Sequence, residues 1–592
     1  MWHPLLYYDR AMAGKPFRQI VAAFIIFVSV LLMVAGIYFL CSGRTLGQTF
    51  VDMVSPVTVQ KEAYKDTNPW LVVLGFSTIY TIGTIFFTGY FVATITNFIR
   101  TRADKFKQGT VKYPFRHHIV FLGYDDLIIG MIQKLCDDGQ KRIVVGVENN
   151  ASDINDRIKN RLFNEHKDKV VVLQADGCNR SELERLRIPF ADCVYIIGEH
   201  DDAYNLKSYR TIYELSLCKT NFRERMPQCY VNLRHKSTLA LFQTYATAGD
   251  IGVDFSAFHA FNFNDEWARY MICGDGLKKE SRIDYRDDDS NNVRQVHLVI
   301  AGMTEMGRAL ARQAMLECHY PNNISTKITF IDPQTELLSK QLIGSHQKLF
   351  EHCHYAYYDS SAQLVEEHHP KKEETLDIEF EYYVADISDI PIREKLKEWC
   401  SDECQLLTIA ICLPKASQSF AAGIHLPKKF FDKKIPVWIY QPTYGNLGNY
   451  LRGSSYYNNI VTFGMSGEQL DICNKNTIDK AKLINHCYHN WDKNGEVNYD
   501  NPLWIDAEWQ AIDVNERWMY INRASRLSAI RHMVKDFSNL DDKDIEKITM
   551  AEMKRMKIEG LIVPESSSSK PIHKEELRYL KVFQEINKTS TI

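Results

Sequence analysis

The chain has 592 residues, of which 45% are hydrophobic and 24% are charged, and its formal net charge is -3. This length exceeds what a single hydrophobic core supports, so we expect about three or four domains. The near-zero charge leaves no basic excess to neutralise phosphates, which argues against a nucleic-acid partner.

Two apolar segments near the start of the chain predict membrane-spanning helices. The first, residues 17–40, carries no charge after Arg18, and its uncharged part is long enough to cross about 30 Å of hydrocarbon. The second, residues 70–99, is uncharged and rich in glycine and hydroxyl side chains, which is typical of a helix packed against other helices. Basic residues precede the first segment and follow the second. We therefore expect a multi-pass protein of the cell (inner) membrane with both termini in the cytoplasm.

The loop between these segments, residues 41–69, predicts a pore lining. Its central part, residues 45–60, is mildly apolar, too short to span a membrane and broken by Pro56, as expected of a half-helix that enters and returns. The alternative is an ordinary extracellular loop. No T-V-G-Y-G filter is present, so the permeant ion is not identified, although a ring of Asp52 carboxylates would attract cations. The candidate pore and filter residues are Thr49, Phe50, Val51, Asp52, Met53, Val54 and Ser55.

The rest of the chain begins with alternating apolar runs and helical patterns. Residues 117–135 predict a strand, a turn at Gly123 and a helix, and the next two strands end on Glu148 and Asp176. A fourth strand, within residues 193–202, leads to Glu199. This alternation predicts a parallel sheet with right-handed crossovers.

The same pattern recurs further along the chain. Residues 295–314 predict a strand, a turn at Gly302 and a helix, and the following strands end on Asp332 and near Asp386. Apolar runs within residues 406–426 and 435–442 extend the series. We therefore predict two tandem Rossmann-type units.

Neither unit carries the full dinucleotide fingerprint G-x-G-x-x-G. In the first unit two acids, Asp125 and Asp126, follow closely after the turn glycine. In the second unit Thr304 replaces the middle glycine and Glu305 comes next. Acids at these positions repel a pyrophosphate, so NAD-dependent catalysis is not expected and we interpret the chain as a protein that is not an enzyme.

A regulatory nucleotide or a divalent cation is the ligand that such strand ends would hold. The alternative is that the acids cap helices and bind nothing. The candidate ligand-binding residues are Gly123, Asp125, Glu148, Asp176 and Glu199 in the first unit, and Gly302, Thr304, Gly307, Asp332 and Asp386 in the second.

Cysteine and histidine usage does not predict a metal site. The 14 cysteines form no C-x-x-C pair, which is typical of a reducing compartment. Cys400 and Cys404 lie in an apparent helix and are expected to pack there. A polar stretch that we expect to be irregular has no recognised ligand spacing, although it contains His352, Cys353, His354, His368 and His369.

Residues 95–132 and 173–215, together with the segments of the second unit, resemble ion channels gated by cytosolic RCK (TrkA-N) domains. Within that group the chain is most similar to Castor/Pollux-type channels and their bacterial relatives. The resemblance covers roughly residues 17–465 and is weakest in the pore loop. It implies a homotetramer that conducts inorganic cations, either potassium or several with little selectivity, and that a cytosolic ring opens or closes when a ligand binds. Gly83 and Gly89 are candidate hinges of the inner helix, or alternatively permit close helix packing.

Beyond about residue 466 the pattern becomes helical. Residues 479–491 and 509–534 carry aromatic and basic side chains at helical spacing and loosely resemble the ryanodine-receptor repeat (RyR) domain. The predicted fold class is therefore α/β with membrane α-helices. We expect a two-helix pore unit (1–110), two Rossmann-like RCK/TrkA-N domains (111–290 and 291–465) and a helical, RyR-like C-terminal domain (466–592).

These features favour a ligand-gated cation channel. The alternative is a membrane effector of bacterial defence, whose cytosolic part senses a nucleotide-derived ligand and whose membrane part permeabilises the bilayer. The RyR-like tail and the missing filter favour the effector, whereas the pore-loop layout favours the channel. A third class, a membrane-anchored redox enzyme, would require nicotinamide binding.

Overall fold

The structure is a computed structural model. It describes residues 92–125, 128–139, 142–198, 201–219, 226–234, 258–274, 277–284, 294–322, 324–370, 375–442, 454–464, 475–490, 502–512, 514–533 and 541–562, with residues 29, 32, 36, 39, 40, 45, 70, 74, 77, 81 and 238. The predicted pore residues 49–55, the hinge candidates Gly83 and Gly89, and the acids Asp126 and Glu199 lie outside the described residues.

The chain divides into two compact units, Met1–Val111 and Lys112–Ile592. In the first unit, helix α1 (Val92–Lys107) is followed by a turn in which the Thr110 hydroxyl donates a hydrogen bond to the Lys105 carbonyl. Among the described residues, no helix is both long enough and apolar enough to cross a membrane. Most of each segment that we predict to span the bilayer lies outside those residues.

The compact unit Lys112–Ile592 opens with a sheet of six parallel strands. They are β1 (Ile119–Leu122), β2 (Ile143–Val147), β3 (Val170–Gln174), β4 (Cys193–Ile196), β5 (Gln228–Asn232) and β6 (Phe258–Phe261). Their order is β3-β2-β1-β4-β5-β6, so β1 lies between β2 and β4. This central position explains why β1 is apolar at every residue, because a parallel strand covered on both faces has no solvent side. The predicted parallel sheet is confirmed.

Helices connect the first five strands, as parallel pairing requires. They are α2 (Ile128–Asp137), α3 (Ala151–Arg161), α4 (Arg180–Leu183) and α5 (Asp202–Lys219), with 3-10 turns at Asn164–Lys169 and Ile188–Phe190. Helix α6 (Phe263–Cys273) and a 3-10 turn at Lys279–Ser281 follow β6 and precede the second sheet.

A second sheet, of eight strands, repeats the plan with an insertion. Its strands are β7 (Gln295–Ala301), β8 (Thr326–Ile331), β9 (His354–Tyr358), β10 (Leu364–His368), β11 (Ile378–Tyr383), β12 (Gln405–Ile411), β13 (Val437–Tyr440) and β14 (Ile460–Phe463). Their order is β10-β9-β11-β8-β7-β12-β13-β14, and β10, at the edge, is antiparallel to β9 whereas the other pairings are parallel. The helices of this sheet are α7 (Glu305–Glu317), α8 (Thr335–Ser345), α9 (Gln347–Phe350), α10 (Ile390–Ser401), α11 (Ala416–Ile424) and α12 (Lys429–Asp432).

Two local expectations in this sheet are wrong. The histidine-rich stretch is not irregular but forms the β9–β10 hairpin. Tyrosines of β9 pack on both faces of the sheet, and these side-chain contacts stabilise the strand. Helix α10 ends at Ser401, so Cys404 lies beyond it and is exposed, whereas Cys400 is buried in the helix.

A glycine with positive φ follows the first strand of each sheet. Gly123 has φ +93°, and a Cβ atom there would lie 2.5 Å from the carbonyl oxygen of Ile197, just after β4. Gly302 has φ +97°, and a Cβ atom there would lie 2.5 Å from the carbonyl oxygen of Cys412, just after β12. Both positions therefore require glycine for backbone conformation and for space.

Helices α6 and α7 pack together and join the two sheets into one hydrophobic core. The Trp267 ring of α6 lies 6.2 Å from the Phe463 ring of β14. The Trp438 indole of β13 donates a 3.0 Å hydrogen bond to the carbonyl oxygen of Ser281. A salt bridge of 2.9 Å links Asp265 of α6 to Arg312 of α7. Relative movement of the sheets would expose this core, so we expect them to move together.

Among the described residues after the second sheet there are four helices: α13 (Lys475–Asn490), α14 (Pro502–Ala511), α15 (Val514–Met533) and α16 (Asp542–Ile562). The first three, with the start of α16, share a small core around Trp509 and Leu527. Helix α16 also reaches the sheets, because Ile558 belongs to the core between them and the Lys554 ammonium donates to the Tyr320 carbonyl at 3.0 Å.

Replacing Gly302 by alanine should destabilise the protein by about 1–3 kcal/mol, since alanine is strained at this φ and its Cβ meets a backbone carbonyl. The matched control is Gly344→Ala in α8, where an added Cβ meets nothing within 4 Å and helix propensity favours alanine. Thermal unfolding of the full-length protein should show a lower apparent Tm for G302A and an equal or higher one for G344A. Equal apparent Tm values for G302A and wild type would contradict the packing described here.

Candidate functional site

Each sheet has a crevice at the carboxyl ends of its strands, where the chain order reverses. In the first sheet the reversal lies between β1 and β4, and in the second between β7 and β12. Ligands of open α/β sheets bind at such a switch point. The predicted ligand residues that the structure describes all follow strands at these edges.

In the second sheet, side chains hydrogen-bond to the backbone of the loop around Gly302. Thr304 is the N-cap of α7, and its hydroxyl donates to the Cys412 carbonyl at 2.8 Å and accepts from the Gly307 amide at 3.3 Å. Asp332, after β8, accepts hydrogen bonds from the Met303 amide at 2.8 Å and the Gln334 amide at 2.7 Å. The Met303 and Gly307 amides, which could otherwise face a phosphate, are thus satisfied internally.

In the first sheet the equivalent acid is free of such contacts. Glu148 follows β2 as Asp332 follows β8, but its side chain is exposed. Within the described part of the chain, no hydrogen bond or ion pair reaches the Glu148 carboxylate. Tyr124 is buried after Gly123, and Asp125 is partly buried next to it. At this strand end the first sheet therefore offers an available carboxylate, whereas the carboxylate of Asp332 is engaged by backbone amides.

The loop after β3 is held by Asp176 and a tyrosine from α5. Asp176 accepts hydrogen bonds from the Cys178 amide at 2.8 Å and the Tyr204 hydroxyl at 3.0 Å. The same hydroxyl accepts from the Gly177 amide at 2.9 Å, and Glu182 accepts from the Asp176 amide at 2.8 Å. Burial raises the pKa of Tyr204, and its bond to Asp176 raises it further, so the phenol remains a proton donor at neutral pH.

The loop after β11 repeats this arrangement in part. Asp386 accepts from the Ser388 amide at 2.8 Å, and Asp389 accepts from the Asp386 amide at 2.9 Å. Asp176 and Asp386 therefore both close a turn on their own backbone, as short acidic side chains do. A ligand role for either carboxylate stays a prediction.

Sequence reasoning did not find the side chains that hold the loop after β4 in the first sheet and the loop after β12 in the second. Asn205 of α5 accepts from the Gly198 amide at 2.9 Å and donates to the Asn232 carbonyl at 2.8 Å. Ser419 of α11 accepts from the Leu413 amide at 3.0 Å. The available signal was a small polar residue within the first turns of the helix that follows each strand.

Comparison with known proteins gives similarity of fold only. No family model matches the chain, and no curated protein sequence matches it. The crystal structure of GsuK bound to ADP is similar at 13% identity and a TM-score of 0.42, over 76% of this chain and 96% of that one. The GsuK channel bound to NAD gives 12% identity and a TM-score of 0.41, over 76% of this chain and 82% of that one. The crystal structure of the GsuK RCK domain is similar at 9% identity and a TM-score of 0.32, over 60% of this chain and 75% of that one.

Replacing Tyr204 by phenylalanine removes the hydroxyl that bridges Asp176 and the Gly177 amide. We expect a loss of about 1–2 kcal/mol, most of it local to this loop. Hydrogen–deuterium exchange should become faster at the amides of Gly177 and Cys178. Tyr213→Phe, on the same helix, is the matched control and should leave exchange in the loop unchanged. Unaltered exchange in Y204F would show that the tyrosine does not hold the loop.

Proposed function

We propose that this chain is the subunit of a homotetrameric, ligand-gated cation channel of the cell membrane. The observation that carries the proposal is the pair of Rossmann-type sheets that share one core and follow two uncharged apolar segments in the chain. The apolar segments and the loop between them supply the pore, and the sheets supply the cytosolic sensor.

The shared core supports a sensor that responds as one body. A ligand can shift a gate only if it binds the open and closed forms with different affinity. Strain generated at one crevice passes through α6 and α7 to the other sheet, because their contact is close-packed. Residues 108–118 join α1 to β1, a connection of at most about 40 Å when fully extended. Tyr113 and Phe115 of this connection pack on the core of the first sheet, so a change in the sensor would pass to α1 through the few residues that precede them.

The ligand site of this proposal is the crevice of the first sheet. Glu148 presents an exposed carboxylate there, whereas the equivalent Asp332 is occupied by backbone amides. A carboxylate after the second strand can accept hydrogen bonds from ribose hydroxyls or coordinate a cation. Asp125 beside the glycine turn disfavours a buried pyrophosphate. The ligand is therefore a regulatory nucleotide bound through its sugar or a divalent cation.

Planar-bilayer recording of the purified full-length protein tests the channel. We expect discrete unitary currents that favour cations over anions and whose open probability changes with ligand, because the pore is lined by the loop and its gate is coupled to the sensor. An unselective leak that appears only with nucleotide would support the membrane effector instead. A silent bilayer with verified incorporation would contradict both.

Replacing Glu148 by glutamine tests the ligand site. Binding of ADP, NAD, Ca²⁺ and Mg²⁺ to the full-length protein is measured by isothermal titration calorimetry. For the ligand that binds wild type, E148Q should weaken affinity about tenfold to one-hundredfold, since a hydrogen bond to a charged group contributes about 1.5–3 kcal/mol.

The matched control is Glu280→Gln, which removes another exposed carboxylate. E280Q should bind as wild type does. Equal loss in both variants would indicate a general charge effect, and equal affinity in E148Q and wild type would exclude Glu148 from the site.

A further inference from the structure

Two histidines and a glutamate meet at the edge of the second sheet. His354 is the first residue of β9, Glu367 lies on β10, and His369 directly follows β10. One ligand atom from each side chain can be chosen so that all three lie within 4.8 Å of one another. None of these residues belongs to the crevices described above, so the cluster is independent of the proposed channel function.

The pairing of β9 and β10 brings the three side chains to one face. Glu367 pairs with Ala356 and His368 with Tyr355, so the next opposed pair is His369 and His354. Glu367 and His369 are two residues apart and point to the same side of the strand.

A register shift in the hairpin selects these particular residues. The pairing moves by one residue between Leu364 and Glu366. Without that shift His368 would oppose His354, and Glu366 rather than Glu367 would share its face. In the observed register the His368 ring instead stacks on Tyr355, with ring centroids 4.6 Å apart. The spacing of residues in the sequence therefore could not identify the set.

The donor atoms are close enough together to share one transition-metal ion. The Glu367 carboxylate lies 2.8 Å from His354 Nε2 through one oxygen and 3.3 Å from His369 Nε2 through the other. Ligands at the usual zinc distances stand about 3.3 Å apart on a tetrahedron, so small side-chain rotations would suffice to bind an ion. Two imidazoles and one carboxylate suit Zn²⁺, whereas Ca²⁺ and Mg²⁺ require mainly oxygen donors.

The site is open to solvent on one side. The His369 side chain is 68% exposed and that of Glu367 36%, whereas that of His354 is 28% exposed. An ion can enter without opening the sheet, and a fourth position remains for water, as in open zinc sites. Cys353, next to His354 in sequence, is fully buried and does not contribute.

We propose that His354, Glu367 and His369 form an open, three-residue site for Zn²⁺ or another imidazole-preferring divalent transition metal. The ion replaces the hydrogen bonds between Glu367 and the two imidazoles and binds them in their neutral form. It ties the end of β10, whose side chains are mostly exposed, to β9 and so to the sheet. Bound metal should therefore order the edge hairpin.

Zinc binding to chelator-treated full-length protein tests the proposal, with affinity measured by competition against a chromophoric chelator. Each wild-type chain should bind one more Zn²⁺ ion than a chain of the H354Q/H369Q variant. Glu367→Gln should weaken binding of that ion by at least about tenfold, because it removes a direct ligand. The matched control Glu366→Gln removes the adjacent carboxylate of the same strand, which pairs with Tyr357 on the other face, and should bind as wild type does.

A second readout separates loss of the site from loss of the hairpin. Zn²⁺ should slow hydrogen exchange within residues 354–369 of wild type and E366Q but not of E367Q, and the metal-free proteins should exchange alike. Co²⁺ in place of Zn²⁺ should give visible bands of a nitrogen and oxygen site without thiolate charge transfer. Equal zinc stoichiometry in wild type and H354Q/H369Q, or thiolate bands that account for all bound Co²⁺, would overturn the proposal.

Discussion

The close approach of a glycine to a carbonyl at a strand end, after β4 in the first sheet and after β12 in the second, is the constraint on which both sheets depend. A side chain at Gly123 or Gly302 would overlap the backbone oxygen of Ile197 or Cys412. The contact lies at the switch point of each sheet, between β1 and β4 in the first and between β7 and β12 in the second. In the second sheet helix α7 begins at Glu305, three residues after Gly302, so the start of the helix is positioned beside the same contact.

The two sheets share this contact but differ in whether the acid at the end of the second strand is bonded to the backbone. In the second sheet Thr304 and Asp332 satisfy the backbone around Gly302, so the loop is stable without a ligand. In the first sheet the carboxylate at the equivalent strand end, Glu148, is left exposed. Buried polar groups must be satisfied by protein, water or ligand, so an internally satisfied loop has less to gain from a ligand than an open one. This difference makes the end of β2 in the first sheet more available to a ligand than the end of β8 in the second.

The sequence predicted the central strands of both sheets because they are buried on two faces and read as unbroken apolar runs, as in β1 and β12. It did not predict β5, β6, β9, β10 or β14, in which buried residues are interrupted or replaced by partly or fully exposed ones, so that no unbroken apolar run marks the strand. The acids at the strand ends were found, but the partners of Asp176 and Asp332 were not. Those contacts join residues 28 or 29 positions apart, and only the fold brings them together.

Within the compact unit Lys112–Ile592, helix α7 contacts both α6 and the C-terminal helices. Its first turn is capped by Thr304 at the crevice, its middle is bound to α6 through Arg312 and Asp265, and its last residue is Glu317. Glu317 lies 3.6 Å from the buried Arg526 of α15, which also pairs with Glu552 of α16 at 2.8 Å.

Burial alone would raise the pKa of Glu552, but Arg526 and Arg555 outweigh it and hold that pKa below its usual range. Buried ion pairs add little net stability, yet leaving one partner alone is costly, so they fix how the helices dock. A displacement of α7 at the crevice would thus be felt about 20 Å away at the tail. The C-terminal helices are therefore coupled through α7 to the switch point of the second sheet.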